Sequence, residues 1–67
     1  MNEIHSLSPL RLKRLLSGFT IDLLSLKTGI DRAKLSRAER GFAKLSTSEI
    51  AKISKCLNCS PDEVVHD

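Results

Sequence analysis

The chain has 67 residues, 40% of them hydrophobic, with two Phe, no Trp or Tyr, three Gly and two Pro. A chain of this length forms one domain at most, with a small aliphatic core and little room for a deep substrate cleft. No apolar run is long enough to span a membrane and the first residues do not resemble a secretory leader, so we expect a cytoplasmic protein without a membrane partner.

The net charge of +3 is unevenly distributed along the chain. Residues 11–44 contain nine Lys or Arg and three Asp or Glu, whereas residues 45–67 contain two Lys and four acidic residues. A basic body with an acidic C-terminal end is typical of a domain that places one face on phosphates. An ordinary solvated surface with an accidental asymmetry gives the same pattern, so the charge alone does not decide between the two.

The N-terminal part of the chain predicts a short arm followed by a helix. Residues 1–7 show no helical period and are assigned to the arm, and residues 8–67 to the domain. Ser8 is the expected N-cap, Pro9 the first helical residue and Gly18 the C-terminal stop. Three leucines are expected to form the apolar stripe of this helix: Leu12, Leu15 and Leu16.

The central part predicts two short helices joined by a tight turn at Gly29. The helices should cover residues 21–28 and 32–40, with Thr20 and Asp31 as their N-caps. Four apolar residues are spaced to face one core: Leu24, Ile30, Leu35 and Ala38. The second helix turns a basic, polar face away from that core: Arg32, Lys34, Ser36, Arg37 and Arg40. This arrangement describes a helix-turn-helix whose second helix enters a DNA major groove.

Two capping boxes mark the helix starts in the C-terminal part. The first, S-T-S-E at 46–49, begins a helix over residues 47–57, which Asn58 ends in a left-handed conformation. The second, S-P-D-E at 60–63, begins a short fifth helix that ends near Val65.

Each of the five predicted N-caps has an apolar residue before it and another four positions after it, the spacing of a hydrophobic staple. The pairs are Leu7/Leu12, Phe19/Leu24, Ile30/Leu35, Leu45/Ile50 and Cys59/Val64. The predicted fold is therefore all-α, a compact bundle of five short helices that contains a helix-turn-helix.

Four stretches carry a resemblance to a known family. They are G-F-T at 18–20, L-L-S-L-K-T-G-I at 23–30, K-L-S-R-A-E-R-G at 34–41 and L-N-C-S-P-D-E-V-V at 57–65. Over residues 9–65 the chain resembles the Cro/phage-repressor type of helix-turn-helix domain, also called lambda-repressor-like or Xre-like. The resemblance implies a sequence-specific transcriptional regulator, a phage or bacterial repressor that binds a palindromic operator in double-stranded DNA as a homodimer.

The family is less specific for role than for fold, because it also includes plasmid and restriction–modification regulators and antitoxins. The alternative is therefore a protein-interaction module on the same fold, such as an antitoxin or the target of an antirepressor, with secondary or lost DNA binding. Its main partner would be an antirepressor or toxin protein.

The resemblance also assigns roles to individual positions. Base reading falls on Arg32, Ala33, Ser36 and Arg37, and phosphate contacts fall on Arg40 and Lys44. A further phosphate contact is expected at Thr20 from the helix start itself, because the backbone N–H groups there favour an anion. Arg37 is expected to pair with guanine, whereas Arg32 contacts either a base or a phosphate. Asp31 is interpreted mainly as an N-cap, and Lys34 as a residue that faces solvent or the DNA backbone rather than a base. Arg14 and Glu39 are expected to form a structural ion pair between the first and third helices.

Two positions depart from the family pattern. Ile21 stands where members often carry Gln, which touches a phosphate and a base-reading residue, and this slightly favours the protein-interaction alternative. Thr28 stands where an apolar residue usually precedes the turn glycine. Ser25 fits the pattern, as a small residue packed against the second motif helix.

No catalytic or metal-binding constellation is visible in the sequence. Cys56 and Cys59 form C-x-x-C, but His5 and His66 lie at the chain ends without zinc-ligand spacing, so we interpret the cysteines as packing residues. No internal His is available to activate a Ser nucleophile, so we expect no enzymatic activity, no cofactor and no small-molecule substrate. The dimer surface is expected at the fifth helix and the C-terminal tail, where Val64 and Val65 lie beyond the residues that the predicted core needs.

Overall fold

The structure is a computed structural model in which residues 8–65 are described, and all regular structure in that range is helical. The elements are α1 Pro9–Leu16, α2 Ile21–Thr28, α3 Arg32–Glu39, α4 Thr47–Cys56 and a final 3₁₀ turn, Pro61–Glu63. The predicted all-α class is confirmed. The predicted arm, residues 1–7, lies outside the described residues, as does Leu7 of the first predicted staple pair. Among the described helices, none has the length and apolar character needed to cross a bilayer.

The prediction of a fifth helix was wrong in detail, because the segment forms only a single 3₁₀ turn. The Glu63 carboxylate accepts from the Ser60 backbone N–H at 3.0 Å, as the predicted capping box requires. The Val64 N–H then donates to the Pro61 carbonyl at 3.1 Å, three residues back rather than four. The helix ends after this single turn, and the next residue, Val64, is buried in the core at 2% exposure.

The helix boundaries follow from side-chain caps. Thr20, Asp31 and Ser46 cap α2, α3 and α4, and each side-chain oxygen accepts from backbone N–H groups of the first turn at 3.0–3.3 Å. Glu49 completes the box on α4 by accepting from the Ser46 N–H at 2.8 Å. Gly29 ends α2 with φ +75°, a left-handed conformation that glycine adopts without steric cost.

The core is aliphatic and draws on the four α-helices, on the connections between them and on the residue that follows the 3₁₀ turn. Helix α2 packs against both α3 and α4, while α1 packs against α3 and the 3₁₀ turn. The buried apolar residues are Leu10, Leu24, Ile30, Leu35, Ala38, Ile53, Leu57 and Val64. Because α3 rests on α1 and α2 along one side only, its other side remains available to a partner.

The face of α1 that is buried differs from the predicted stripe. Leu10 and Arg14, four residues apart, face inward at 1% and 8% exposure. The three predicted leucines are instead exposed: Leu12 at 43%, Leu15 at 48% and Leu16 at 74%. The reason is that the Arg14 guanidinium finds a carboxylate and a carbonyl inside the fold, so α1 can bury a charged residue where the pattern suggested an apolar one.

Candidate nucleic-acid interface

Helix α3 has one buried face and one exposed face. Leu35, Ala38 and Glu39 are buried at 6% exposure or less, which fixes the rotation of the helix about its axis. Of the predicted base-reading residues, Arg32, Ala33 and Arg37 are exposed and Ser36 is half-buried. The structure therefore places all four on or beside the surface of α3 that the core leaves uncovered.

Arg32 is paired at the start of α3. Its Nε lies 2.5 Å from Oδ1 of Asp22 in the first turn of α2, and the two side chains are 66% and 71% exposed. A pair that lies mostly in water contributes little to stability, so Arg32 can exchange Asp22 for a phosphate or a base at small cost. Asp22 was not predicted at this site, because no local pattern reports a contact between residues ten positions apart.

The start of α2 borders a groove of about 400 Å³ between α1, α2 and α3. It is lined by three residues of α1 and by Phe19, Thr20, Ile21, Ser36, Glu39 and Arg40. Helix geometry leaves the first N–H groups of α2 without an intrahelical acceptor, and such groups favour an anion. Ile21, at the usual Gln position, is half-buried and packs against the core, so its side chain supplies no polar contact here.

The segment after α3 carries the predicted phosphate-contacting residues. Arg40 and Lys44 are both exposed, and neither has a carboxylate partner among residues 8–65. The Arg40 guanidinium carbon lies 5.9 Å from the centre of the Phe42 ring, within range of a cation–π contact. Phe42, 75% exposed, was not predicted as part of this surface.

Lys34 was expected to face solvent or the DNA backbone, and in the structure it connects α3 to α4. Its Nζ donates to both carboxylate oxygens of Glu49, at 3.0 and 2.9 Å. The hydrogen bond from Lys34, and then that from the Ser46 N–H, lower the pKa of the Glu49 carboxyl below its ordinary value. Lys34 thus helps to hold α3 in place, while the other basic residues of α3 remain on its outer surface.

Arg14 and Glu39, the predicted structural pair, are brought together inside the fold. The Arg14 Nε lies 2.5 Å from Glu39 Oε2, and Nη2 donates to Oε1 at 3.0 Å. A third hydrogen bond, from Nη1 to the Phe19 carbonyl at 2.8 Å, satisfies the remaining edge of the guanidinium. The bidentate contact with Glu39 joins the last turn of α3 to α1, and the bond to Phe19 joins α1 to the segment that precedes α2.

The turn between α2 and α3 is held by two hydroxyl groups. The Ser25 Oγ donates to the Ile30 carbonyl at 2.6 Å. The Thr28 Oγ1 donates to the Leu24 carbonyl at 2.7 Å and accepts from the Ile30 N–H at 3.3 Å. The polar residue at position 28 is therefore accommodated, because its buried hydroxyl both donates and accepts a hydrogen bond and joins the end of α2 to the turn.

Comparison with known proteins agrees with this geometry. The family model described as helix-turn-helix matches residues 10–64. The chain belongs to the Cro/phage-repressor, Xre-like helix-turn-helix family. Among solved structures it is similar to the restriction-modification controller protein C.AhdI from Aeromonas hydrophila, with 30% sequence identity and a TM-score of 0.79 over 85% of this chain and 86% of that chain. No similar protein was found among curated sequences.

The predicted family is thus confirmed, and with it a DNA-binding transcription regulator. In this helix-turn-helix, α2 and α3 are the two motif helices and α3 occupies the position of the recognition helix. The Arg14–Glu39 and Lys34–Glu49 pairs hold the two ends of that helix against the rest of the domain.

The prediction that Val64 lies outside the core of the helix-turn-helix domain was wrong. Val64 is 2% exposed and belongs to the buried cluster, because the 3₁₀ turn directs it back beneath α1 and α4. Val65 is 40% exposed and remains on the surface. Of the predicted dimer surface, only Val65 is therefore an exposed apolar residue in the described part of the chain.

The two cysteines are free thiols that lie half-buried against the core. Burial raises the pKa of the Cys59 thiol, which disfavours the thiolate that metal binding requires. Within residues 8–65, no three side chains of His, Cys, Asp or Glu come together as a possible metal site. This environment suits the packing role inferred from the sequence.

Proposed function

We propose that the chain is a transcriptional repressor that binds a palindromic DNA operator as a homodimer, with α3 in the major groove. The observation that carries the proposal is the exposed face of α3. Arg37 has no carboxylate partner in the described part of the chain and is free to bind guanine through two hydrogen bonds. Ala33 suits contact with a thymine methyl group, and Ser36 can hydrogen-bond to several bases.

Phosphate contacts would flank this helix on both sides. At the start of α2, the N–H groups next to Thr20 favour an anion. After α3, Arg40 and Lys44 supply charges that no carboxylate in residues 8–65 neutralises. Arg32 would leave Asp22 on binding and contact a base or a phosphate. Such phosphate contacts fix the position of the domain on the duplex, whereas contacts to the bases determine which sequence is bound.

A single domain of this size reads only a few base pairs, so a pair of domains on two half-sites is the expected route to useful affinity. We place the dimer contact at the end of the chain that bears Val65. Among the roles found in the family, the similarity to a restriction-modification controller protein favours the control of restriction-modification genes. We propose binding rather than catalysis, since the functional surface consists of hydrogen-bond donors and small side chains.

One observation favours a second function. Ile21 packs against the core where family members often carry a polar clamp, so the domain lacks one of the usual side-chain anchors on DNA. In the alternative, the chain is a protein-interaction module whose partner is an antirepressor or a toxin, and DNA binding is secondary or lost.

Selection of duplexes from a random library tests the two functions against each other. The repressor proposal predicts an enriched palindrome with half-sites about one helical turn apart, bound by two chains as judged by sedimentation. A protein that enriches no sequence, and whose affinity for every duplex is lost at physiological salt, would contradict it and favour the interaction module.

A further inference from the structure

A second basic surface lies away from the exposed face of α3. It is an open groove of about 750 Å³ between the end of α2 and the second half of α4. Its lining residues are Phe19, Lys27, Thr28, Lys52, Lys55 and Cys56. The three lysines are exposed, whereas Phe19 and Cys56 are half-buried and Thr28 is buried. We call this surface, defined by these six residues, the lysine groove.

The charges of the lysine groove are not compensated. Residues 8–65 contain six lysines, of which Lys13 and Lys34 pair with carboxylates of Glu63 and Glu49. No carboxylate in that range lies within ion-pair distance of any of the other four. Three of those four line this one groove. An ordinary solvated surface would be expected to intersperse its charges, so the concentration of unpaired lysines indicates a site for an anionic partner.

The lysines of the groove lie away from the DNA-binding surface, although Phe19 also lines the groove at the start of α2. Lys27 is in the last turn of α2, at the opposite end of that helix from Thr20. The Lys34–Glu49 pair joins the start of α4 to α3, and Lys52 and Lys55 lie about one and two turns farther along α4. A duplex bound along α3 and the start of α2 therefore leaves the lysine groove open.

We propose that the lysine groove binds an acidic segment of a partner protein that carries an apolar side chain. Lys27, Lys52 and Lys55 supply the positive rim for glutamate and aspartate side chains. The half-buried Phe19 and Cys56 supply an apolar floor, which one leucine-like or aromatic side chain would cover. A nucleic-acid backbone would contact the three lysines and leave Phe19 and Cys56 uncovered. These two apolar side chains therefore favour an acidic peptide over a second duplex.

The test uses two synthetic peptides and the full chain labelled with ¹⁵N, both free and saturated with a short DNA duplex. One peptide is glutamate-rich with a single leucine, and the other has serine in place of the leucine. Binding of the first peptide should shift the amide resonances of Lys27, Lys52 and Lys55 in both states. The serine peptide should bind more weakly, because it leaves the apolar floor uncovered.

Two variants with the same change in net charge distinguish binding at the lysine groove from general attraction between an acidic peptide and a basic protein. Lys52→Gln/Lys55→Gln removes two positive charges from the groove. Leu16→Glu/Leu26→Glu changes the net charge by the same amount at two leucines that are 74% and 79% exposed and lie outside the groove. The lysine variant should weaken peptide binding about fivefold or more, and the leucine variant about twofold or less. Melting of each variant by circular dichroism checks that it is folded.

Four results would overturn the proposal. They are equal weakening by the two variants, equal affinity for the two peptides, displacement of the DNA by the peptide, and occupation of the groove by a second duplex when DNA is in excess.

Discussion

The Arg14–Glu39 pair is the contact whose loss should damage the domain most. Both side chains are buried, at 10% and 5% exposure, and they share two hydrogen bonds of 2.5 and 3.0 Å. Among residues 8–65, Glu39→Ala leaves the Arg14 guanidinium with only the Phe19 carbonyl, at 2.8 Å, as a partner. The positive charge then remains in a site from which most water is excluded.

The expected magnitude follows from that burial. Removal of one partner from a buried ion pair costs about 3–5 kcal/mol, because the other charge is left without compensation. A domain of this size has a total stability of about 5 kcal/mol. At roughly 4–8 °C per kcal/mol, the melting temperature of Glu39→Ala should fall by at least about 12 °C, and a large share of the protein should be unfolded at 37 °C.

A double-mutant cycle measured by urea unfolding provides the assay. The cycle compares Arg14→Met, Glu39→Leu and Arg14→Met/Glu39→Leu. The double variant removes both charges and keeps most of the volume, so it should be more stable than either Glu39→Leu or Glu39→Ala. The coupling energy between the two positions should exceed about 1 kcal/mol. Additive losses that are each below about 1 kcal/mol would refute the reasoning, because they are the values expected for two unrelated surface charges.

Three further predictions concern pH, the cysteines and the turn of the motif. Hydrogen bonds from lysines lower the pKa values of the Glu49 and Glu63 carboxyls in the folded state below their ordinary value of 4.5. The two carboxylates therefore stabilise the fold fully above pH 4.5, and this contribution is lost as the pH falls through their pKa values in the folded state. Urea midpoints should therefore decrease below about pH 4.5, and a flat profile there would contradict the assignment. Cys56→Ala/Cys59→Val should retain DNA binding, and a chelator should leave the melting temperature of the unmodified chain unchanged; a fall would indicate a bound metal. Gly29→Ala should cost about 1–2 kcal/mol because φ is +75° there, even though the added methyl group would meet no atom within 4 Å; an unchanged melting temperature would show that the turn relaxes.

Most of the fold could be predicted because its helix ends are encoded locally. Thr20, Asp31 and Ser46 each accept hydrogen bonds from amides of their own first turn, and Gly29 adopts its left-handed conformation within the same short segment. These interactions join residues a few positions apart, so a sequence pattern can report them. The same holds for Asn58, which adopts the predicted positive φ, at 57°.

The errors in the predicted fold arose where distant residues decide the outcome. Arg14 is buried only because Glu39, 25 positions away, meets it. That contact rotates α1 so that Leu12 and Leu16 face solvent, although the leucine pattern alone favoured the opposite face. Val64 was expected both in a staple pair with Cys59 and on the dimer surface, and the packing of the 3₁₀ turn against α1 and α4 places it in the core.

The candidate site was predictable in its main residues and not in their partners. The positions of Arg32, Ala33, Ser36 and Arg37 on α3 follow from the helical period and the family resemblance. The pairing of Arg32 with Asp22 and of Lys34 with Glu49 depends on how α2, α3 and α4 lie against one another. A further surface residue, Phe42, has neither the charge nor the period that marks a nucleic-acid contact in a sequence.

The central claim, that the exposed face of α3 reads bases while the segment after it binds phosphates, is tested most directly by comparing Arg37→Ala with Lys44→Ala. Fluorescence anisotropy would be measured on the selected operator, on operators altered at single positions and on a random duplex, each over a series of salt concentrations. Arg37→Ala should cost about 1–3 kcal/mol on the operator and relax the preference at one position. Lys44→Ala should weaken all duplexes alike and lower the salt dependence by about one unit. If Arg37→Ala leaves the operator preference intact, or if it weakens all duplexes uniformly as Lys44→Ala does, the exposed face of α3 does not read bases through Arg37 and the account is contradicted.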